Sequence, residues 1–496
     1  MNAPTEALVA PRPERLRLVG QRRQILSMMH QRLMLGMLVY AGVVALIVAR
    51  ILFLAAFGDH AGRQQGVTAL VPERGDIVDR DGYPLARTIN AWSIGLHPNK
   101  VIGDKLQLAR KLAQLMPERS EAEYFKMLRS GKNFYYLRRR ASPEVVEAVN
   151  ALGEPGIALE REPERLYPQT SLAAHVIGFT NIDGHGAYGA ERAFDKLLSD
   201  PETRGTPVQL SISMTVQQAL EHELLGAMTH FSAIGAAGVV MDVHTGEILA
   251  MTSLPAMNPN APGKVTPDQM FNRAALGVYE LGSTFKPFTL AMAMDSGVVS
   301  GPGQMYNCPD ALPAYGHFIH DTHPFGRPCS VAEIMMESSN IGMAQMADQV
   351  GTARQKAFLK KMGFLDRVEI ELKERGRTLT PSTWGPFETM TVGFGQGIAV
   401  APLQLAMGYA TLFDGGIYHP PTILKIGPNH PLPKGKRVFT ADTSYRMRSL
   451  LRLVVMKGTG RKADAPGYRV GGKTGTIRRR RVLLQPQEPQ ARHPHR

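Results

Sequence analysis

The chain has 496 residues, enough for two or three domains, and its hydrophobic content of 44% is typical of a globular protein. The net charge of +14 first suggests a nucleic-acid partner. Most of this charge lies at the two ends, in residues 1–32 and 478–496, which each hold six arginines. No long basic stripe remains between them, so we exclude nucleic-acid binding.

The first predicted element is a membrane anchor. Residues 33–57 form an apolar run in which Arg50 is the single charged side chain, and about 20 apolar residues span a bilayer core as a helix. The six arginines in residues 1–32 predict a cytoplasmic basic tail, and everything after residue 57 is then predicted to lie outside the cytoplasm.

Residues 58–205 are predicted to form a first extracytoplasmic domain. Short apolar pieces with turn signals follow residue 73, residues 104–152 have helical periodicity, and residues 161–200 mix turns with short elements. A composition shift after Asp200 marks the start of a second domain, residues 206–477. There Thr215 to His230 predicts a helix, and Gly238 to Thr252 predicts a hairpin that turns at Thr245-Gly246.

The second domain carries a serine and a lysine in the order Ser283-Thr284-Phe285-Lys286. Three positions apart on a helix, the two side chains share one face. A serine hydroxyl needs a nearby base to become a nucleophile, and a lysine serves as that base when burial or a nearby cation lowers its pKa. Pro287 must sit in a first helical turn. The pattern therefore predicts Ser283 at a helix N-terminus.

Two further motifs follow. Ser338-Ser339-Asn340 lies inside an apolar run with helical periodicity, and Lys473-Thr474-Gly475 lies in a segment that predicts the start of a strand. Each motif alone is weak, because similar tripeptides occur by chance. All three in this order match the serine nucleophile, second and third motifs of penicillin-interacting enzymes.

The chain resembles the class B penicillin-binding proteins, and specifically the septal (FtsI-type) peptidoglycan D,D-transpeptidases. The resemblance runs from about residue 10 to Thr476 and rests on the segments YELGSTFKPFTLAMAMDSG, ESSNIGMAQMA, GFGQGIAVAPLQLAMGYATLFDGG, VGGKTGT and RGDIVDRDGYPLA. Asn340 resembles the septal type, since elongation enzymes of Gram-negative bacteria often carry Asp there.

The resemblance implies an α+β fold. Its parts are a single transmembrane helix, an elongated pedestal domain, and a penicillin-binding transpeptidase domain with an antiparallel sheet flanked by helices. It also implies an inner-membrane protein with its catalytic domain in the periplasm. The expected partners are peptidoglycan stem peptides, β-lactam antibiotics, a membrane glycosyltransferase and other division proteins. No metal and no cofactor are expected.

The resemblance also implies roles for the catalytic residues. Ser283 would attack the D-Ala-D-Ala carbonyl, Lys286 would take its proton, and Ser338 would relay a proton to the leaving group. Asn340 would orient Lys286 and the substrate amide.

The third motif would bind the substrate. Lys473, Thr474, Gly475 and Thr476 would hold its terminal carboxylate, and the backbone N–H groups of Ser283 and Thr476 would form the oxyanion hole.

Residues 478–496 do not resemble the family. They begin with four arginines and are rich in Gln, Pro and His, a composition typical of disorder. We therefore expect a truncated or frame-changed C-terminus and a transpeptidase sheet without its last strands.

Three functional hypotheses follow. The first is an active transpeptidase, and the second is an inactive membrane-anchored division scaffold. The third is a β-lactamase or β-lactam sensor, which the pedestal disfavours. Cys308 and Cys329 are compatible with a disulfide or with two free thiols.

Overall fold

In the computed structural model, the structure describes residues 34–49, 73–427 and 430–476. Residues 34–49, inside the predicted anchor, form helix α1. The rest of the predicted anchor, the basic tail and residues 478–496 lie outside the described residues. Among the helices that the structure describes, none is both long and apolar enough to cross a membrane.

The pedestal domain is built on a five-stranded sheet in the order β3-β2-β1-β5, with β4 paired to β2. Its strands are β1 (Ile77–Val78), β2 (Pro84–Leu96), β3 (Tyr135–Ala141), β4 (Ile157–Leu166) and β5 (Val208–Gln209). Its helices are α2 (Lys105–Leu115), α3 (Glu121–Leu128), α4 (Pro143–Asn150), α5 (Ala174–Ile177), α6 (Gly189–Ala193) and α7 (Asp195–Ser199). Strand β4 pairs over its whole length with residues Arg87 to Leu96 of β2.

The prediction of helical structure across residues 104–152 is partly wrong. Three helices form there, but β3 lies between α3 and α4 and pairs antiparallel with β2. Leu137 and Ala141 are the buried residues of β3. Neighbouring tyrosines suit a strand, and pairing with the edge of β2 opposite β4 supplies backbone hydrogen bonds that helical periodicity alone does not reveal.

A buried ionic cluster links distant segments of the pedestal. Glu191 in α6 is 0% exposed and accepts bonds from Arg74 at 2.9 and 3.1 Å and from Arg165 at 2.6 Å. Asp195 accepts a second bond from Arg74 at 2.6 Å. Since each arginine comes from a different part of the chain, the cluster ties the pedestal's first residues to β4 and to α6.

The second domain begins with α8 (Met214–His230) packed against a hairpin of β6 (Ala236–Met241) and β7 (Ile248–Leu254). Gly246 in the turn has φ +79°, so the predicted hairpin is confirmed. The remaining strands are β8 (Met305–Cys308), β9 (Leu312–Ala314), β10 (His317–Ile319), β11 (Arg327–Ser330), β12 (Ile417–Tyr418) and β13 (Lys436–Arg437). The remaining helices are α9 (Pro267–Met270), α10 (Lys286–Asp295), α11 (Val331–Met336), α12 (Asn340–Val350), α13 (Thr352–Lys361), α14 (Pro386–Gly393), α15 (Pro402–Phe413) and α16 (Ala441–Lys457).

Helix α10 runs through the core of this domain. Its residues from Lys286 to Met294 are all buried, as expected for a helix that is covered on every side. The rings of Phe285, Phe288 and Phe364 pack together beside it, with centroids 4.8 to 5.3 Å apart. The helix that begins at the predicted base is therefore rigidly held.

The two cysteines form a disulfide. Cys308 and Cys329 lie on the antiparallel strands β8 and β11, with their Cα atoms 5.9 Å apart. Both side chains are fully buried. The bond closes a stretch that contains the β9–β10 hairpin.

Candidate active site

The nucleophile lies at the start of the buried helix. A single 3-10 turn, Gly282–Phe285, leads directly into α10, and Pro287 lies in the first turn of α10. Gly282 has φ +52°, a conformation that glycine adopts at little cost. The predicted position of Ser283 at a helix N-terminus is therefore confirmed, and its side chain remains partly exposed.

Lys286 is 0% exposed. Its Nζ donates to Ser338 Oγ at 3.1 Å and to the backbone carbonyl of Ser338. Burial, followed by the charge of Lys473, lowers the pKa of Lys286 to about 7, against the opposing effect of Asp321. A large share of Lys286 is therefore neutral near neutral pH, as a general base requires.

The second motif lies at a break between two helices within the run for which the sequence indicates helical periodicity. Helix α11 ends at Met336, Ser338 has φ +64°, and α12 begins at Asn340. A left-handed residue that is not glycine costs about 1 kcal/mol. This conformation lets both the side chain and the carbonyl of Ser338 face Lys286, while the Ser339 hydroxyl caps α12 by accepting from Gly342 N at 3.0 Å.

The third motif reaches the same hydroxyl. Lys473 Nζ donates to Ser338 Oγ at 2.9 Å and to the Thr474 carbonyl at 2.9 Å. Burial lowers the pKa of Lys473 to about 8. Ser338 Oγ therefore lies between two lysines, and one residue from each of the three motifs (Lys286, Ser338 and Lys473) takes part in a single hydrogen-bonded cluster.

Residues 471–476 do not form the strand that the sequence predicts, and within the described ranges they pair with no strand. A strand requires a neighbour that supplies ladder hydrogen bonds. This segment instead lies along α16, where Leu451 O accepts from Gly472 N at 3.2 Å. Thr474 Oγ1 donates to Thr459 Oγ1 at 2.7 Å, and Thr476 is exposed.

Gly475 packs against the nucleophile turn. A Cβ atom at this position would lie 2.7 Å from Thr284 Cγ2, 2.8 Å from Leu281 O and 3.0 Å from Thr284 N. Only a glycine allows the third motif to approach the turn this closely.

Asn340 is the first residue of α12, two positions after Ser338, but its side chain does not bond Lys286. Its Nδ2 donates to the His320 carbonyl at 3.0 Å. The predicted role of Asn340 in orienting Lys286 stays a prediction.

Sequence reasoning missed Asp321, whose carboxylate accepts from Ser339 Oγ at 2.6 Å and from Ile341 N at 3.1 Å. It lies in a loop about 20 positions before the motif that it contacts, and no local pattern distinguishes it from other loop aspartates. In the parts of the chain that the structure describes, no group of three or more His, Cys, Asp or Glu is arranged to hold a metal.

A partly exposed serine at a helix N-terminus, three positions before a buried lysine of lowered pKa, is the arrangement expected of a serine acyl-transfer site. Residues 236–481 match the family model for the penicillin-binding protein transpeptidase domain, and residues 69–199 match that for the penicillin-binding protein dimerisation domain.

Several characterised and probable peptidoglycan transpeptidases are similar to this chain over most of its length. The chain is 38% identical over 429 residues to a probable peptidoglycan D,D-transpeptidase FtsI from Caulobacter vibrioides, covering 84% of this chain and 71% of that protein. It is 31% identical to the peptidoglycan D,D-transpeptidase FtsI of Escherichia coli K12, covering 84% of this chain and 75% of that protein. Penicillin-binding protein 3 from Mycobacterium tuberculosis, solved with aztreonam, superposes with a TM-score of 0.64 at 26% identity, covering 82% of each chain. The chain belongs to the class B penicillin-binding proteins, and its two-domain α+β architecture is that of the family.

Proposed function

We propose that the protein is a peptidoglycan D,D-transpeptidase that cross-links stem peptides during septum formation through a serine acyl-enzyme. The observation that carries the proposal is the Ser338 hydroxyl, which hydrogen-bonds both Lys286 and Lys473. This contact brings residues from three distant motifs into one cluster, and Ser283 lies in the turn that leads directly into Lys286. The names of the FtsI relatives support the substrate class and the role in division.

The reaction begins when Ser283 Oγ attacks the carbonyl between the two terminal D-alanines of a stem peptide. Neutral Lys286 takes the hydroxyl proton, and the backbone N–H groups of Ser283 and Thr476 stabilise the oxyanion. The terminal carboxylate binds Lys473 and the hydroxyls of Thr474 and Thr476.

The bond between the two alanines then breaks. Ser338, hydrogen-bonded to Lys286, passes a proton to the departing amine, and D-alanine leaves. The amine of a second stem peptide attacks the acyl-enzyme, forming the cross-link and returning the proton to Ser283. A β-lactam acylates Ser283 by the first half of this sequence, and the bulky product blocks the second half.

The membrane location belongs to the same proposal. The apolar run at 33–57 and the arginines before it support a single-pass inner-membrane protein with a cytoplasmic N-terminus and a periplasmic catalytic domain. A membrane glycosyltransferase and other division proteins are the proposed partners.

A fluorescent penicillin tests the proposal. We expect the full-length protein in detergent to be labelled covalently, and we expect Ser283→Ala to abolish the label. Ser296→Ala, at the exposed end of α10, is the matched control and should be labelled like the wild type. Release of D-alanine from a pentapeptide substrate should follow the same pattern.

The second candidate is the inactive division scaffold. It is favoured by one observation, that residues 471–476 pair with no strand in the described ranges, so the third motif lacks the support of a sheet. An unlabelled wild-type chain that is folded by circular dichroism would refute the transpeptidase and leave the scaffold as the supported function. Rapid β-lactam turnover would instead indicate a β-lactamase. The expectation that the sheet lacks its last strands remains a prediction.

A further inference from the structure

Asp321 occupies the loop between β10 and β11 and contacts the N-terminus of α12. Its Oδ2 accepts the Ser339 hydroxyl at 2.6 Å, and its Oδ1 accepts the backbone N–H groups of Asn340 and, at 3.1 Å, of Ile341. The carboxylate thus satisfies two of the N–H groups that a helix leaves free at its start. It also lies where the helix dipole favours a negative charge.

These contacts bear directly on Ser338. The backbone of Ser338 is left-handed, at φ +64°, and such a conformation persists only where its surroundings hold it. Asp321 accepts hydrogen bonds from the three residues that follow Ser338. Loss of these bonds would let the turn relax and would move Ser338 Oγ away from its two lysines.

Asp321 also acts on Lys286 through its charge. In the described residues the two side chains form no ion pair, so the carboxylate acts from a distance. The charged groups acting on Lys286 are Lys473, which lowers its pKa, and Asp321, which raises it. Loss of the carboxylate would leave Lys473 unopposed.

We propose that Asp321 is a positioning residue for acyl transfer, which fixes the turn at Ser338 and balances the charge of the lysine pair. Its hydrogen bonds in the described part of the chain go to Ser339, Asn340 and Ile341 and not to Ser283, so it acts through Ser338 and Lys286. Its place between Cys308 and Cys329 in the chain puts it in a stretch that the disulfide closes. The role rests on the proposed acyl-transfer function of the same site.

The test measures the second-order rate constant for acylation by a fluorescent penicillin from pH 5.5 to 9.5, using full-length protein. Asp321→Ala removes both contacts and charge, and we expect a loss on the order of a hundredfold, as for a catalytic group misplaced by about 1 Å. Asp321→Asn keeps an acceptor oxygen for the backbone N–H groups but removes the charge. We expect a smaller loss and an acid limb displaced to lower pH, because the pKa of Lys286 falls.

Asp310→Asn is the matched control, since Asp310 is exposed and lies within the same disulfide-closed stretch. It should keep the rate and the pH profile of the wild type. A purely structural role for Asp321 would lower the rate of Asp321→Asn equally at every pH and leave the limb in place, which overturns the charge-balancing part. Acylation of Asp321→Ala within twofold of the control overturns the positioning part.

The outcomes separate the two proposals. An unlabelled wild type defeats the transpeptidase and the role of Asp321 together. A labelled wild type with unaffected Asp321 variants defeats the role of Asp321 alone. If Asp321→Ala does not fold, the pH profile of Asp321→Asn decides.

Discussion

Substitution of Gly475 by alanine tests whether the third motif must touch the nucleophile turn. The new Cβ would lie 2.8 Å from the backbone oxygen of Leu281, whereas ordinary contacts begin at 3.4 Å. Since a backbone oxygen does not swing aside as a side chain does, the segment must retreat by about 0.6 Å. We expect this retreat to slow acylation of Ser283 about a hundredfold, which corresponds to about 2.7 kcal/mol in the barrier.

The assay is the rate of covalent labelling by a fluorescent penicillin, with thermal unfolding measured in parallel. Gly472→Ala provides the control, because a Cβ at Gly472 meets no atom within 4 Å and the residue lies in the same segment. We expect both variants to unfold within a few degrees of the wild type. If Gly475→Ala were labelled within threefold of Gly472→Ala, the close approach would have no part in catalysis.

Three further predictions concern pH and stability. The pKa of Lys286, about 7, lies below the ordinary lysine value, and acylation needs its neutral form, so the rate should rise as pH passes 7. It should fall above about 8 as Lys473 loses the charge that binds a carboxylate; a rate that is flat from pH 6 to 9 would contradict both assignments. Reduction of the disulfide between β8 and β11, which spans 21 positions, should cost about 3 kcal/mol of unfolding free energy, and denaturant titration with and without reductant measures it; a change below about 1 kcal/mol would count against this value. Glu191→Ala should cost about 3–5 kcal/mol because it leaves buried Arg165 without its carboxylate and Arg74 with Asp195 alone, whereas the exposed Glu202→Ala should be neutral; equal melting temperatures for the two variants would refute a stabilising role for the cluster.

The sequence predicts the chemical roles in the site more completely than it predicts the geometry of the site. The spacing of Ser283, Lys286 and Pro287 predicts a helix that begins at the nucleophile, because proline tolerates only the first turn, and the structure confirms that helix. The hairpin of β6 and β7 was also predictable, since strand periodicity and a Thr-Gly turn are local signals.

Long-range contacts explain what the sequence could not reveal. Apolar residues continue on both sides of Ser338 at helical spacing, so periodicity alone does not locate the break. The break is stabilised by hydrogen bonds from Lys286 and Lys473 to Ser338 and from Ser339 to Asp321, which come from distant parts of the chain. Strand β3 was hidden because its stability comes from β2, some 40 positions earlier in the chain. The segment 471–476 was predicted to begin a strand, but a ladder depends on a neighbouring strand, which the local sequence cannot report.

The pairing of β1 with β5 has a consequence for how the chain acquires its shape. Ile77 lies beside Val208 in a parallel pair, about 130 positions later, and closing a loop of that length costs about 4 kcal/mol of chain entropy. Strands β2 to β4 pair among themselves, so they have no need to wait for it. A chain emerging N-terminus first therefore gains most of its pedestal early, and the sheet is completed only when β5 arrives. Because β5 continues almost at once into α8, the same event that completes the pedestal sets the starting point from which the catalytic domain folds.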